Sequence, residues 1–347
     1  MEQKGDKKMG WEIAREVEAT KTTMGERAKI TGEQAKKLIK YLVLFGILFA
    51  IGCWLAGNPF DFTKRISSEF VTARGWEGTD NWTIIWWVVA LCAFLEWMDS
   101  AGGMGYGTIL TPVMFLLGFD PRQVVPQIMI TEMVTGLMSG FVHGDFQNVE
   151  WKIRPMNETT KLVTMVSITG IIATMVSISA VYAIFTVHKF WIKFYVAVLL
   201  LLMGGTSLFT AIGHFSYKPK LMWMFAFVGG FNKGVGGGGY GPVITIGGLL
   251  SGVPVKSMVA ITSLAEGVTC LGGVIMWFFI GFTGVEVDYM LLPSFVIGTI
   301  VAALFAPWTT RVIPEWFWKW AIPVKACGIG AYTFYKIWPD IQTRFFG

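Results

Sequence analysis

Long apolar runs separated by short polar joints make up most of the chain after residue 40. Roughly twenty predominantly apolar residues cross a bilayer as a helix. By that measure the predicted spans are 41–57, 82–98, 124–143, 162–187, 191–212, 257–281, 289–306 and 318–338. The pattern predicts an all-α polytopic membrane protein and excludes a single soluble core.

Two further apolar segments, Thr108–Gly118 and Pro242–Gly252, are about half the length that a span requires. Each follows a glycine cluster, and each cluster follows another apolar segment, 82–98 or 221–232. Short helices beside irregular glycine backbone at membrane depth are typical of half-helices that line a buried or wet site. We therefore expect glycine-broken half-helices inside the membrane.

The glycine clusters belong to an internal repeat, because Gly102–Gly107 aligns with Gly236–Gly241 at an offset of 134 residues. The same offset pairs Thr111 with Thr245, Leu116 with Leu250, Gly118 with Gly252, Glu132 with Glu266, Val134 with Val268 and Thr135 with Thr269. We interpret the chain as two repeated modules preceded by one extra N-terminal transmembrane helix. Loop charges fit parallel and inverted modules equally, so both arrangements stay open.

The N-terminal 40 residues differ from the rest, since they hold ten of the 28 Lys/Arg and seven of the 23 Asp/Glu. We expect a cytoplasmic helix over 11–40 that lies on the membrane surface. It is either an arm that regulates or binds a partner, or a solvated helix whose basic residues fix the topology. The predicted parts are a charged cytoplasmic or interfacial helix at 1–40, the extra helix at 41–57, a polar loop at 58–81, repeat 1 at 82–212, repeat 2 at 213–338 and a tail at 339–347.

Composition agrees with a membrane protein, because 54% of the residues are hydrophobic, only 15% are charged and the mean hydropathy is +0.56. The net charge of +5 suggests contact with lipid headgroups of the inner leaflet and not with nucleic acid. The sequence contains no catalytic motif and no nucleotide fingerprint, which predicts a protein that is not an enzyme and needs no cofactor. Four isolated cysteines, Cys53, Cys92, Cys270 and Cys327, have no metal-ligand spacing and are expected to be buried thiols.

The glycine clusters are candidates for an anion site. Glycine allows a ligand to approach the backbone closely, and a half-helix that starts at the break directs its N–H groups and positive dipole end at that ligand. The alternative is that the glycines only permit tight helix packing. The predicted substrate-binding residues are Gly102, Gly103, Gly105, Tyr106, Thr108, Asn232, Lys233, Gly236, Gly237, Gly238, Gly239 and Tyr240.

Ionisable residues at membrane depth cost several kcal/mol and are candidates for function. Asp99 and Lys233 occupy equivalent positions, three residues before their glycine clusters. Lys233 is expected to attract an anion, and Asp99 to pair with it or to carry a proton. Glu132 and Glu266 are the other predicted coupling residues; alternatively they form a hydrogen-bonded pair that braces the half-helices. Lys325, in the last span, is either functional or an ion-pair partner.

Hydroxyl groups near the breaks could donate hydrogen bonds to an oxyanion. Tyr106 and Tyr240 lie inside the clusters and either bind the ligand or pack with an incidental hydrogen bond. The other polar residues flanking the breaks are Ser100, Thr111 and Thr245. The histidines, His143, His188 and His214, lie at span ends without repeat partners and are weaker candidates.

The duplicated glycine motif resembles the TauE/SafE family, the sulfite exporter family of membrane transporters. The resemblance rests on Gly102–Gly107 with Leu117-Gly118, and on Gly234–Gly241 with the variant Ser251-Gly252. It covers roughly 82–338 and implies movement of sulfite, an organosulfonate or a related sulfur oxyanion, often outward, across the bacterial inner membrane. Residues 1–81 have no counterpart in the family core.

The leading hypothesis is a secondary transporter of a small sulfur-containing anion that works by alternating access between the two repeats. An anion channel and an anion-sensing receptor or assembly subunit are the alternatives. The expected setting is the lipid bilayer of the bacterial inner membrane, with the N-terminus in the cytoplasm and no metal in the site. Coupling to protons and assembly as a homodimer are open to test.

Overall fold

The computed structural model describes residues 9–55, 84–184, 189–212, 218–285, 287–289 and 291–345. These ranges form α-helices and, within them, no strand. The helices are α1 Glu12–Thr20, α2 Met24–Ala28, α3 Gly32–Leu55, α4 Trp86–Gly102, α5 Tyr106–Leu116, α6 Pro121–Asp145, α7 Glu158–Ile178 with a π-helical extension Ser179–Ile184, α8 Lys189–Ile212, α9 Pro219–Gly236, α10 Tyr240–Leu250, α11 Val255–Gly281, α12 Leu292–Val312 and α13 Glu315–Phe345. The predicted 58–81 loop, His188 and His214 lie outside the described residues.

Within the described ranges, four helices are long and apolar enough to cross a membrane. They are α6, α7 with its π-helical extension, α11 and α12. The mostly helical, multi-pass character that the apolar pattern predicts is confirmed. At the C-terminus, α13 continues through Pro339 to Phe345, so the predicted 339–347 tail largely prolongs the last helix.

Left-handed glycines end the helices at both glycine clusters. The C-cap of α4 is Gly103 with φ 71°, whose N–H donates to the Asp99 carbonyl. The C-cap of α9 is Gly237, also with φ 71°, whose N–H donates to the Lys233 carbonyl. Glycine adopts this conformation with less strain than other residues, so the sequence favours a helix end at both points.

The two short helices that follow, α5 and α10, each have 11 residues. They also end at left-handed glycines, Gly118 with φ 96° and Gly252 with φ 80°. The next helix then begins at Pro121 under a capping box formed by Asp120 and Gln123, or at Val255 after Pro254. The sequence therefore produces the same order of long helix, break, short helix and long helix at both glycine clusters.

Helices of the first half pack mainly against helices of the second half. The central pair is α6 with α11. Around it, α4 packs on α12 while α9 packs on α7, and α11 packs on α7 while α6 packs on α12. A further pair, α8 with α13, packs beside these helices, with α8 touching α10 and α13 touching α11. Each contact between helices of different halves thus has a counterpart, because the two helices equivalent to that pair in the repeat also pack on each other.

The N-terminal segment packs on the protein itself. Where one helix over 11–40 was expected, the structure has α1, α2 and the first turns of α3, because Thr23 starts a new helix with its capping box to Glu26. Residues 9–31, the N-terminal arm, dock on the loop after α6: Glu150 N–H donates to the Gly10 carbonyl at 2.8 Å. Ser257 of α11 also bonds the Trp11 carbonyl.

Glu18 anchors this arm, because its carboxylate accepts from Arg27, Lys256 and the backbone N–H of Glu315 at 3.1–3.2 Å. Burial alone would raise the pKa of Glu18, but the Glu315 N–H and the Lys256 ammonium lower it. A lowered pKa stabilises docking above the usual pKa of glutamate, and this stabilisation is lost as the pH falls through the pKa of the docked state.

We expect Glu18→Gln to loosen the arm at pH 7 and to remove the pH dependence of its docking. The measurement is amide hydrogen exchange of residues 12–28, corrected for intrinsic rates, between pH 7 and pH 3.5. Glu16→Gln is the matched control, since Glu16 is exposed on the same helix. Equal protection in wild type and Glu18→Gln at pH 7 would show that Glu18 does not anchor the arm.

Candidate functional site

A buried lysine lies between two buried glutamates where the two halves meet. The Nζ of Lys233, on α9, donates to Glu132 on α6 and to Glu266 Oε1 on α11 at 2.7 Å. The side chains of Lys233, Glu132 and Glu266 are 0%, 3% and 8% exposed. The repeat-related glutamates, predicted as coupling residues, therefore share one ammonium group that comes from the second half only.

Asp99 completes the cluster from α4. Carboxylate oxygens of Asp99, Glu132 and Glu266 all lie within 4.8 Å of one another. Three carboxylates could hold a metal ion, but Lys233 already supplies a cation to two of them. If all four groups were ionised, the cluster would carry more negative than positive charge. The cluster thus brings three carboxylates to one ammonium group.

The two glycine breaks touch each other beside this cluster. A Cβ on Gly238 would meet the Gly107 carbonyl oxygen at 2.3 Å, and a Cβ on Gly107 would meet Glu132 Oε1 at 2.8 Å. Each break also contacts the short helix of the other half: Gly103 faces Thr245 of α10, and Gly237 faces Thr111 of α5. The small size of these glycines is thus required for the close approach of the two breaks.

Both half-helices start at this contact without a side-chain cap. Gly105 precedes α5 and Gly239 precedes α10, and neither offers a capping side chain. The Gly107 N–H donates to Glu132 Oε1 at 3.1 Å, and the Gly239 N–H donates to Thr108 Oγ1 at 3.3 Å. A glutamate thus occupies one N-terminus, which is the type of position that anions prefer.

Lys325 of α13 lies beside the first glycine break, at the C-terminal end of α4. Its Nζ donates to the carbonyls of Met98, at 3.1 Å, and Met104. Cations at the C-terminal end of a helix stabilise its unsatisfied carbonyls and negative dipole end. Lys325 thus supports the end of α4, and its ammonium also approaches Gly102.

The cluster tyrosines are fully buried, and their hydroxyls are engaged by threonines of the next helix. Tyr106 Oη lies 3.1 Å from Thr131 Oγ1, and Tyr240 Oη lies 3.2 Å from Thr269 Oγ1. Tyr106 also packs edge-on against Phe295 with 6.2 Å between the ring centroids. This geometry is the one expected if both tyrosines pack in the interior with an incidental hydrogen bond and do not bind the ligand.

Asn232 is buried beside the second break, with its Oδ1 accepting from Tyr195 Oη of α8. Its Nδ2 has no hydrogen-bond partner in the described structure and lies next to Gly239. Tyr195, the partner of Oδ1, also lines a cavity of about 410 Å³ together with Val181, Trp191, Ile192, Phe194, Val198, Phe231 and Val235. An unpartnered amide donor therefore lies near the N-terminus of α10.

Glu96 is a buried carboxyl that the sequence analysis missed. It is 1% exposed on α4, and its Oε1 accepts from Ser100 Oγ at 2.7 Å. At the 134-residue offset its counterpart is Gly230, so the repeat did not select it. An ionisable residue inside the predicted 82–98 span was a sufficient signal by itself.

Buried polar side chains continue from Glu96 between α4 and α6. Glu96 Oε2, Thr135 Oγ1 and Ser139 Oγ have no hydrogen-bond partner in the described structure. Further along, the Nε2 of His143 bonds the Ser100 carbonyl at 2.9 Å and its Nδ1 bonds Asn148. Unsatisfied buried oxygens of this kind are places where ordered water binds.

Gly238→Ala is expected to force the two breaks apart, because its Cβ would overlap the Gly107 backbone oxygen. Overpacking of this type costs about 1–3 kcal/mol. The measurement is the thermal unfolding midpoint in detergent. Gly205→Ala is the control, since a Cβ at Gly205 meets nothing within 4 Å. An equal midpoint for both variants would contradict the close contact of the breaks.

Comparison with known proteins places this chain among membrane transporters. Residues 88–333 match the family described as Sulfite exporter TauE/SafE. The "Probable membrane transporter protein YtnM" of Bacillus subtilis (strain 168) is 27% identical over 229 residues, which are 62% of this chain and 70% of that protein. No solved structure matches. The match leaves the N-terminal arm and α3 outside the family region.

Proposed function

The chain belongs to the sulfite exporter TauE/SafE family of membrane transporters, and from that membership we propose that it is a secondary transporter of a small sulfur-containing anion. The observation that carries the proposal is Lys233, buried between Glu132 and Glu266 at the contact of the two glycine breaks. A buried ammonium with exchangeable partners is a site that an anion can enter.

An anion cannot approach Lys233 while two carboxylates face it, because like charges repel strongly at low dielectric. Protonation of Glu132 or Glu266 would weaken that repulsion and free one donor of the ammonium. The anion would then take the position of the displaced carboxylate, with further donors from the half-helix N-termini and Asn232. Proton and anion would therefore occupy the site together.

The two halves provide the means of exposing this site alternately to each side. Lys233 comes from α9 of the second half, while Glu132 and Asp99 come from α6 and α4 of the first. Movement of one half against the other would break or re-form these contacts. Alternating access of this kind is common in transporters built from repeated modules.

Direction follows from the charges that move. A dianion carried with one proton keeps a net negative charge, and an inside-negative membrane potential drives that charge outward. The resemblance to sulfite exporters agrees with this direction. We therefore propose export of a sulfur dianion, such as sulfite or a dianionic organosulfonate.

Flux in proteoliposomes tests the proposal. Vesicles are loaded in turn with sulfite, thiosulfate, sulfate, taurine or sulfoacetate, and efflux is followed with and without an imposed pH gradient. We expect saturable efflux of one of the sulfur anions that accelerates when the vesicle interior is acidic. Gradient-independent flux at channel-like rates, or no flux of any anion from folded protein, would contradict it.

A further inference from the structure

The N-terminal arm, residues 9–31, bonds to both halves of the helix core at one end of the molecule. Its contacts fall on the loop after α6 and the start of α7 in the first half, and on α11, α12 and α13 in the second. The family match begins at residue 88, so the arm is an addition to the matched region. A segment that is attached to two bodies restrains movement between them.

Backbone hydrogen bonds attach the arm to the first half. The Glu150 N–H donates to the Gly10 carbonyl at 2.8 Å. The Thr159 N–H donates to the Met9 carbonyl at 3.0 Å. Gly10 has φ 97°, and a Cβ there would lie 2.3 Å from Asn157 Nδ2. Glycine is therefore favoured at this attachment by its backbone conformation and by its close approach to the first half.

Side chains attach the arm to the second half at three points. The first is Ser257 of α11, whose Oγ lies 3.3 Å from the Trp11 carbonyl oxygen. The second is Trp308 of α12, whose indole N–H donates to the Ala28 carbonyl at 3.0 Å. The third is the Glu18 carboxylate, which binds the first turn of α11 and the N-terminus of α13. The arm thus holds three helices of the second half to one loop of the first.

The two halves are closed against each other at this end. Ser257 Oγ also lies 2.9 Å from the Asn148 carbonyl oxygen, and the Asn148 amide donates to the Pro307 carbonyl at 2.8 Å. Ser257 and Asn148 are 0% and 1% exposed. Glu266 lies eleven residues beyond Val255, the first residue of α11, which places it about 16 Å along the helix from this end. Access to the carboxylate cluster from this end therefore requires the halves to separate where the arm holds them.

We propose that the N-terminal arm is an autoinhibitory lock, which keeps this end of the transporter closed and slows transport. The inference rests on the proposed alternating access, since a lock acts only on halves that move. Contacts that exist in one conformation only stabilise that conformation, and opening this end breaks the bonds of the arm to at least one half. Release of the arm therefore raises the population of the open conformation and the rate of transport.

Two variants release the arm from one half each. Gly10→Ala places a Cβ against Asn157 and strains the backbone, which weakens the attachment to the first half. Glu18→Gln removes the charge that binds α11 and α13 of the second half. The matched controls are Gly25→Ala, where a Cβ meets nothing within 4 Å, and Glu16→Gln, an exposed carboxylate on the helix of Glu18.

Sulfite efflux from proteoliposomes, at equal pH on both sides, is the first measurement. We expect each release variant to raise the flux about tenfold, which corresponds to the loss of one charge-assisted hydrogen bond from the closed conformation. The controls should match the wild type. Measurable flux that is equal in release variants and controls would overturn the proposal. Lower flux together with a lower unfolding midpoint would also overturn it, because the arm would then only support the fold.

The combined variant Gly10→Ala with Glu18→Gln tests whether the two attachments act as one lock. Release from either half is sufficient to free the movement between them. We therefore expect the combined variant to raise the flux by much less than the product of the two single effects. A full product would show two independent effects and would contradict a shared lock.

A distance measurement separates failure of the lock from failure of the proposed transport. Spin labels are attached through genetically encoded ketone side chains at Lys152, on the loop after α6, and at Lys220, in the first turn of α9. Both positions are exposed, and α9 starts beside Ser251, just before α11. The wild type should give one interlabel distance, and the release variants should add a second, longer one.

The outcomes of the distance measurement are distinct. An unchanged single distance in both release variants would overturn the lock, whatever the flux. A longer distance in the release variants, with sulfite flux absent from every variant, would support the lock on a moving junction and contradict the proposed transport of sulfite.

Discussion

Replacing Lys233 by methionine is expected to abolish anion flux and to destabilise the protein. The ammonium is the shared partner of Glu132 and Glu266, and its loss leaves two buried carboxyls facing each other. Removing one member of a buried ion pair costs about 3–5 kcal/mol. Flux in proteoliposomes and the unfolding midpoint in detergent are the two measurements.

A charge-neutral triple variant separates the loss of transport from the loss of stability. Combining Lys233→Met with Glu132→Gln and Glu266→Gln removes all three charges, and neutral replacement of a buried ionic group often restores stability. We expect the triple variant to recover most of the unfolding midpoint while remaining inactive. Recovery of flux along with stability would show that Lys233 is structural and that the anion binds elsewhere.

Glu266→Gln is expected to separate anion movement from the pH gradient. A glutamine keeps the shape and one acceptor for Lys233, but it cannot exchange a proton. Anion exchange across vesicles at equal pH should continue, whereas the acceleration by an imposed gradient should disappear. Glu266 is the better position for this test, because Glu132 also accepts the Gly107 N–H at the start of α5.

The control for this variant is Glu150→Gln, an exposed carboxyl on the loop after α6. It should respond to the gradient like the wild type. If Glu266→Gln also keeps its full gradient response, then Glu266 does not carry the coupling proton. Glu96→Gln extends the series, since a loss of gradient response there would place the proton route between α4 and α6.

The apolar pattern was sufficient to predict the main helices and the two short ones, because membrane helices depend on length and hydropathy more than on tertiary context. A helix also ends at a glycine inside each predicted cluster, since glycine adopts the αL backbone of Gly103 and Gly237 without strain. The break between α1 and α2 was missed. There the signal was the local capping box of Thr23 and Glu26, which a hydropathy pattern does not contain.

The pairing of charges at the site could not be predicted from the repeat. Asp99 and Lys233 are equivalent positions at the 134-residue offset, but in the structure Lys233 bonds to Glu132 and Glu266. The reason is geometric: α6 and α11 pack as the central pair and bring their glutamates to α9. Sequence offset identifies equivalent positions in the two halves, whereas contacts depend on how the helices of one half pack against those of the other.

Proton movement that accompanies anion movement tests the central claim most directly. Proteoliposomes with a trapped pH-sensitive dye are loaded with the transported anion, and the anion outside is then diluted. We predict that the interior becomes alkaline in proportion to anion efflux in the wild type and that Glu266→Gln shows no pH change. Anion efflux without a pH change in the wild type would contradict protonation as the step that opens the site.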